Sequence, residues 1–264
     1  MSERARFGYR SSVPPPSSSW LSHDRYPAVL LALLVAFGGI LAISPHHRAD
    51  WALENALLFA GVGVLVATRK SLPLSRVSYT LIFLFLCLHS VGAHYTYSEV
   101  PYREWLAALT GGAVSAEGRN HYDRLVHFSY GLLLAYPIRE VFLRVADVRG
   151  FWGYYLPLDV TMATSLIYEL IEWAAAELLG GELGVAYLGS QGDVWDAQKD
   201  MALATGGACI AMLTTAALNW RYQRDFAREW AESLRVKSGI PLGEDELVRL
   251  MRETEAARSR ADPS

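Results

Sequence analysis

Histidine and acidic side chains recur at helical spacing in the apolar part of this chain. The pairs that lie three or four residues apart are Asp123 and His127, Glu169 and Glu172, and Asp196 and Asp200. At this spacing both members of a pair can share one face of a helix. Imidazole and carboxylate groups together are ligands for zinc, manganese and iron, and they also exchange protons. The pattern therefore predicts a divalent-metal site or a proton-binding site.

Long apolar runs surround these residues, and each approaches the ~20 residues that cross the hydrocarbon core of a bilayer. The six runs are 27–43, 51–67, 77–93, 122–143, 154–176 and 197–218. The composition agrees, because 52% of the 264 residues are hydrophobic and only 19% are charged. We therefore predict an all-α polytopic membrane protein in which residues 26–218 form a bundle of six transmembrane helices.

The two ends of the chain are polar and differ from the six runs. Residues 1–25 include a stretch of serine and proline and predict a disordered cytoplasmic leader. Residues 219–264 predict a cytoplasmic tail of amphipathic helices. Arginine and lysine are abundant in every second connection between runs and sparse in the others. The positive-inside rule therefore places both termini in the cytoplasm.

This orientation brings the histidine and acidic pairs to one level, near the outer face of the membrane. Ionisable groups at this depth are costly unless they are paired. Glu169 and Glu172 lie toward the C-terminal end of their helix, where the helix dipole disfavours carboxylates, so we expect them to bind a cation. The candidate metal ligands are His89, His127, Glu169, Glu172, Asp196 and Asp200. Zinc, manganese and iron are the candidate metals.

Further polar residues at the same level could act on a substrate. The candidates for catalysis are Asp123, His127 and Glu172, and the candidates for substrate binding are Arg124, Lys199, Tyr130 and Gln198. Arg124 and Lys199 are the expected partners of a phosphate group. We therefore favour a metal-dependent enzyme that acts on an envelope lipid or a lipid-linked substrate.

Other functions and structural roles fit the same residues. The cluster could be the cation or proton site of a binding or transport protein, or a purely structural polar network. Asn120 and Asp193 could cap helix N-termini, and His89 could hydrogen-bond between helices. A nucleic-acid partner is excluded, because the net charge is -3 and the chain has no run of basic residues.

Four longer motifs carry a family resemblance. They are HYTYSEVPY from His94, RNHYDRLVHF from Arg119, YELIEW from Tyr168 and LGSQGDVWDAQKDM from Leu188. These motifs resemble those of the YjdF-like bacterial inner-membrane proteins over roughly residues 50–220. The resemblance implies a multi-pass protein of the bacterial plasma membrane but no reaction, because that family has no established activity. The run DRLVHF from Asp123 is also distantly similar to VanZ-like membrane proteins, and we transfer no resistance function from them.

Overall fold

The protein is helical throughout the part of the chain that the structure describes. The structure is a computed structural model, and it describes residues 25–113, 115, 117–180, 190–237 and 243–261. The helices are α1 (Arg25–Leu41), α2 (Arg48–Thr68), α3 (Arg76–His94), α4 (Tyr102–Leu109), α5 (Tyr122–Val145), α6 (Trp152–Leu179), α7 (Asp196–Tyr222), α8 (Phe226–Ser233) and α9 (Glu244–Ala261). The all-α prediction is confirmed over these ranges. The predicted leader lies outside the described residues, except for Arg25, where α1 begins.

Each of the six apolar runs forms one helix. These helices are α1, α2, α3, α5, α6 and α7. By length and composition, α2, α3 and α7 are able to cross a membrane, whereas α1 is apolar but shorter, with 17 residues. The count of six spans stays a prediction. The short helix α4, between α3 and α5, was not predicted.

The long helices bring most of the buried acidic groups to one end of the bundle. We call this the polar end; it comprises the first turns of α2, α5 and α7 and the last turns of α3 and α6. The opposite end, where α8 packs, is called the tail end. Which of the two faces the cytoplasm is a prediction from the loop charges.

Helix α5 lies at the centre and packs against α3, α6 and α7. Glycine allows the backbones of α5 and α7 to touch. A Cβ atom on Gly131 would overlap the carbonyl oxygen of Ala204, and one on Gly207 would overlap the backbone of α5. Small residues at such contacts let membrane helices approach closely. The contact lies one turn from His127 and from Asp200, so it fixes the two helices relative to each other beside the predicted site.

The tail end is closed by α8, which folds back onto the bundle. Phe226 and Trp230 pack against Tyr154 of α6. The hydroxyl of Ser233 accepts a hydrogen bond from the backbone N–H of Phe151 at 2.9 Å. The first helix of the predicted amphipathic tail therefore has its apolar side covered by the bundle.

Candidate functional site

Three side chains that can bind a metal meet at the polar end. A carboxylate oxygen of Asp123, an imidazole nitrogen of His127 and a carboxylate oxygen of Asp200 lie within 4.8 Å of one another. Asp123 and His127 are one turn apart on α5, and Asp200 lies in the second turn of α7. We call these residues the three-ligand cluster. The close packing of α5 on α7 is what brings the third ligand to the first two.

Two buried carboxylate oxygens, one in this cluster and one beside it, accept no hydrogen bond. Glu169 Oε1 and Asp123 Oδ1 each lie 3.5 Å from His127 Nε2. Glu169 Oε1 and Asp200 Oδ1 are buried and accept no hydrogen bond, and Asp200 as a whole is only 2% exposed. A buried acceptor without a partner costs roughly 1–3 kcal/mol, and a charged one costs more. A bound cation would remove that cost.

Arg124 and Lys199, the expected partners of a phosphate group, form ion pairs with aspartates in the structure. Arg124 lies 2.6 Å from Asp193 and 3.0 Å from Asp196, and Arg119 lies 2.6 Å from Asp196. Lys199 lies 2.5 Å from Asp193. Asp196, a predicted metal ligand, thus has two guanidinium partners and is not part of the three-ligand cluster. A phosphate at Arg124 and Lys199 would compete with these carboxylates.

Asn120 and Asp193 accept hydrogen bonds from backbone amides near helix starts, but the N-cap residues of α5 and α7 are His121 and Trp195. Asn120 Oδ1 accepts a hydrogen bond from the N–H of Tyr122 at 2.9 Å, and Asp193 Oδ1 accepts one from the N–H of Trp195 at 3.1 Å. The hydrogen bond from Lys199 holds the pKa of Asp193 well below its ordinary value. Asp193 is therefore an ionised anchor that ties the start of α7 to Arg124 on α5.

His89, another predicted ligand, has hydrogen-bond partners of its own. Its Nε2 lies 3.2 Å from the backbone carbonyl oxygen of Glu54, which can only accept, so Nε2 carries the proton. The Tyr97 hydroxyl then donates to Nδ1 at 2.5 Å. Burial raises the pKa of this hydroxyl well above its ordinary value, so it stays protonated. Both nitrogens of His89 are engaged, and neither is left for a metal ion.

A constrained loop after α3 places Tyr97. Thr96 and Tyr97 have φ angles of 51° and 52°, a left-handed conformation that side chains other than glycine rarely adopt. A Cβ atom on Gly92 would lie 2.5 Å from the Tyr97 ring, so a glycine is required there. Residue spacing did not reveal Tyr97. The two left-handed residues thus place the Tyr97 hydroxyl against the ring of His89.

Two acidic residues of α2 were also missed. Glu54 is 6% exposed, and its carboxylate accepts a hydrogen bond from the Tyr168 hydroxyl at 2.9 Å. Asp50 is 2% exposed, and neither of its carboxylate oxygens has a hydrogen-bond partner. Glu172, a predicted ligand, lies outside the three-ligand cluster. The sequence signal that could have revealed Asp50 and Glu54 is their position, since Asp50 directly precedes the apolar run 51–67 and Glu54 lies inside it.

An apolar groove of about 630 Å³ leads away from the three-ligand cluster between α2 and α6. Polar side chains line its polar end: His89, Tyr97, Asp123, His127 and Tyr168. Toward the tail end the described lining is mostly apolar and ends near Leu74 and Val141. Leu57 on α2 and Ile167 on α6 line the groove and are 51% and 52% exposed, so they mark an open side. The groove is therefore accessible sideways, from the space that lipid occupies in a membrane.

The two remaining candidates for substrate binding take different positions. Tyr130 lines the groove, where its hydroxyl lies 2.5 Å from the hydroxyl of Thr164. Gln198 is exposed in the first turn of α7 and does not line the groove. Of the predicted substrate residues, only Tyr130 lines this cavity.

Comparison with known proteins identifies the family. Residues 26–221 match a family described as "Predicted membrane protein (DUF2238)". The chain belongs to this family. It is 38% identical over 204 residues to "Inner membrane protein YjdF" of Escherichia coli (strain K12), a match that covers 75% of this chain and 91% of that protein. No solved structure matches the chain. The predicted YjdF-like membership is confirmed, and with it the assignment to membrane proteins.

Proposed function

We propose that this protein is a metal-dependent membrane enzyme that acts on a lipid or lipid-linked substrate at the polar end of its bundle. Asp123, His127 and Asp200 bind the metal ion, and the hydrocarbon chain of the substrate lies in the groove between α2 and α6. Six helices cross the plasma membrane, both termini are cytoplasmic, and the polar end faces outward.

One observation carries the proposal. Asp123 and His127 belong to the three-ligand cluster, and both also line the polar end of the groove. Pockets with mostly apolar walls and a few convergent polar groups are typical of small-molecule sites. A lipid whose chain entered through the open side of the groove would therefore carry its head group to the cluster.

The donor set suits catalysis as well as binding. Three protein ligands leave a coordination position open for water or for a substrate oxygen. One imidazole with two carboxylates fits zinc, manganese or iron. Such an ion would polarise a carbonyl or phosphoryl oxygen and would lower the pKa of a water molecule bound to it. Glu169 Oε1 lies 3.5 Å from His127 Nε2 and has no hydrogen-bond partner, so it would be available to accept a proton.

A cation- or proton-linked transporter is the competing function, and the groove favours the enzyme. Transport needs polar groups that lead from the site to the other side of the membrane. Beyond His127, the described lining toward the tail end contains hydroxyl-bearing residues such as Tyr130 and Ser165 but no charged side chain.

Metal analysis of the purified protein tests the proposal. We expect wild-type protein loaded with zinc, manganese or iron to retain one ion, and Asp200→Asn and His127→Gln to lose it. Asp159→Asn is the matched control, because Asp159 is an exposed aspartate of α6 that lies outside the cluster. A wild-type protein that retains no metal would refute the proposal. The variant Glu172→Gln tests the ligand set predicted from the sequence, and loss of metal there would bring Glu172 into the site.

Cysteine labelling tests the orientation. In a variant without Cys87 and Cys209, a cysteine at Ser98, after α3, should react with an impermeant reagent added to intact cells. A cysteine at Ser75, before α3, should react only after permeabilisation. The reverse pattern would move the three-ligand cluster to the cytoplasmic side.

A further inference from the structure

The groove is nearly as long as the hydrocarbon core of a bilayer is thick. Its wall on α5 extends from Asp123 to Val141, which is about 27 Å at ~1.5 Å per residue. The hydrocarbon core is ~30 Å thick, so one leaflet contributes roughly 15 Å. The chain of an ordinary phospholipid that is anchored at the polar end would fill only about half of this length.

The distribution of polar groups gives the groove a direction. Among the described lining residues, carboxyl and imidazole groups lie only at the polar end, namely Asp123, His89 and His127, and the residues farthest toward the tail end, such as Leu74 and Val141, are apolar. The occupant must therefore have one head group and a chain that extends away from it through most of the membrane.

From this length and this distribution of polar groups we infer that the groove binds a lipid phosphate whose chain is longer than one leaflet, such as a polyisoprenoid phosphate. The phosphate contact rests on the proposed metal site, whereas the chain contact rests on the groove alone. Transfer of the chain from bilayer to groove gains little hydrophobic free energy, because lipid tails are as apolar as the groove. Selectivity for a long chain therefore comes from its packing along the length of the groove.

Two glycines of α2 supply a matched pair of variants. Gly61 lines the groove and Gly63 does not, and a Cβ atom at either position would meet no other atom within 4 Å. Phenylalanine at Gly61 would fill the groove without a clash at its Cβ atom. Phenylalanine at Gly63 adds the same bulk outside the groove.

Native mass spectrometry of the full-length, metal-loaded protein with added lipids tests the inference. The probes are undecaprenyl phosphate, farnesyl phosphate, undecaprenol and phosphatidylglycerol. We expect undecaprenyl phosphate to bind wild type and Gly63→Phe equally, and Gly61→Phe to lose it while keeping its metal. Farnesyl phosphate and phosphatidylglycerol should each bind at least about tenfold more weakly than undecaprenyl phosphate, a difference of ~1.4 kcal/mol.

The possible failures are distinguishable. Equal binding of farnesyl and undecaprenyl phosphate, or equal binding by Gly61→Phe and Gly63→Phe, would overturn the inference even if the metal site is confirmed. Tighter binding of phosphatidylglycerol would overturn it in favour of a lipid whose chains span only one leaflet. If the metal proposal alone fails, undecaprenol and undecaprenyl phosphate should bind equally, and the effects of chain length and of Gly61→Phe should remain.

Discussion

The two ends of the bundle treat buried polar groups differently. At the tail end, Glu140 accepts hydrogen bonds from the N–H of Ser75 at 2.8 Å and from the hydroxyl of Ser78 at 2.6 Å. Even Arg139, whose buried Nε has no acceptor, stacks over the Tyr154 ring at 4.6 Å. At the polar end, by contrast, oxygens of Asp50, Glu169 and Asp200 are buried without a hydrogen-bond partner.

This difference separates polar groups that build the fold from those available for a ligand. A carboxylate with donors around it stabilises the structure in which it sits. A buried carboxylate without donors costs free energy in the folded protein, and such groups concentrate where a ligand completes them. The comparison predicts that neutralising a buried carboxylate should destabilise the protein at the tail end and, when no metal is bound, stabilise it at the polar end.

The largest effect is expected from Trp230→Ala at the tail end. Trp230 packs against Phe151, Tyr154 and Phe226, so the substitution leaves a cavity between α8 and the bundle. We expect a loss of about 3 kcal/mol in the free energy of unfolding, measured by denaturation in detergent. Trp220→Ala is the control, because Trp220 is 73% exposed. Equal losses in the two variants would mean that α8 does not stabilise the bundle.

The second-largest loss of stability is expected from Glu140→Gln. In wild type, Ser75 and Ser78 donate hydrogen bonds to the charged carboxylate of Glu140. The neutral amide of glutamine keeps the size of the side chain but is a weaker acceptor. We expect a loss of about 2 kcal/mol in the same measurement. Glu177→Gln, at an exposed position of α6, should change stability little. An unchanged stability of Glu140→Gln would remove the contrast between the two ends.

Asp200→Asn should have the opposite sign. In metal-free protein the substitution removes a buried charge that has an oxygen without a partner, so we expect a gain of about 1 kcal/mol. In the presence of metal, wild type should be stabilised and Asp200→Asn should not. Lower stability of the metal-free variant would indicate that Asp200 is held by the fold, as Glu140 is.

The smallest effect is expected from Lys199→Gln. The Lys199 side chain is 48% exposed, and Asp193 keeps Arg124 as a partner when the lysine is removed. Exposed ion pairs contribute little, so Tm should fall by at most ~2 °C. A fall in Tm as large as the one that Glu140→Gln causes would mean that the ion pairs of the polar end stabilise the fold and do not only position charges.

The sequence predicted the helices better than the contacts among them. Apolar runs locate helices because length and hydropathy are local properties, and all six runs form helices. The level of the polar residues was also predictable, since spacing along each helix sets their depth. Asp123 and His127 were therefore found together from the sequence alone.

The partners of these residues could not be predicted in the same way. The pairing of Arg119 and Arg124 with Asp196 joins residues more than 70 positions apart, and it depends on how α5 packs on α7. His89 was predicted as a ligand because its depth was right, but its rotation about the helix axis turns it toward Glu54 and Tyr97. Depth follows from the sequence, whereas rotation and register between helices follow from packing.

The contact of Gly131 with Ala204 has a consequence for the choice of metal. Two backbones that touch leave no room for the helices to slide or approach further, so the gap between the α5 ligands and Asp200 cannot easily adapt to the ion. Rigid cavities discriminate between cations by radius and coordination number, whereas flexible ones accept several. We therefore expect ions of similar charge but different size to bind with clearly different affinities, and Gly207→Ala, which would push α7 away from α5, to shift that preference toward the larger ion.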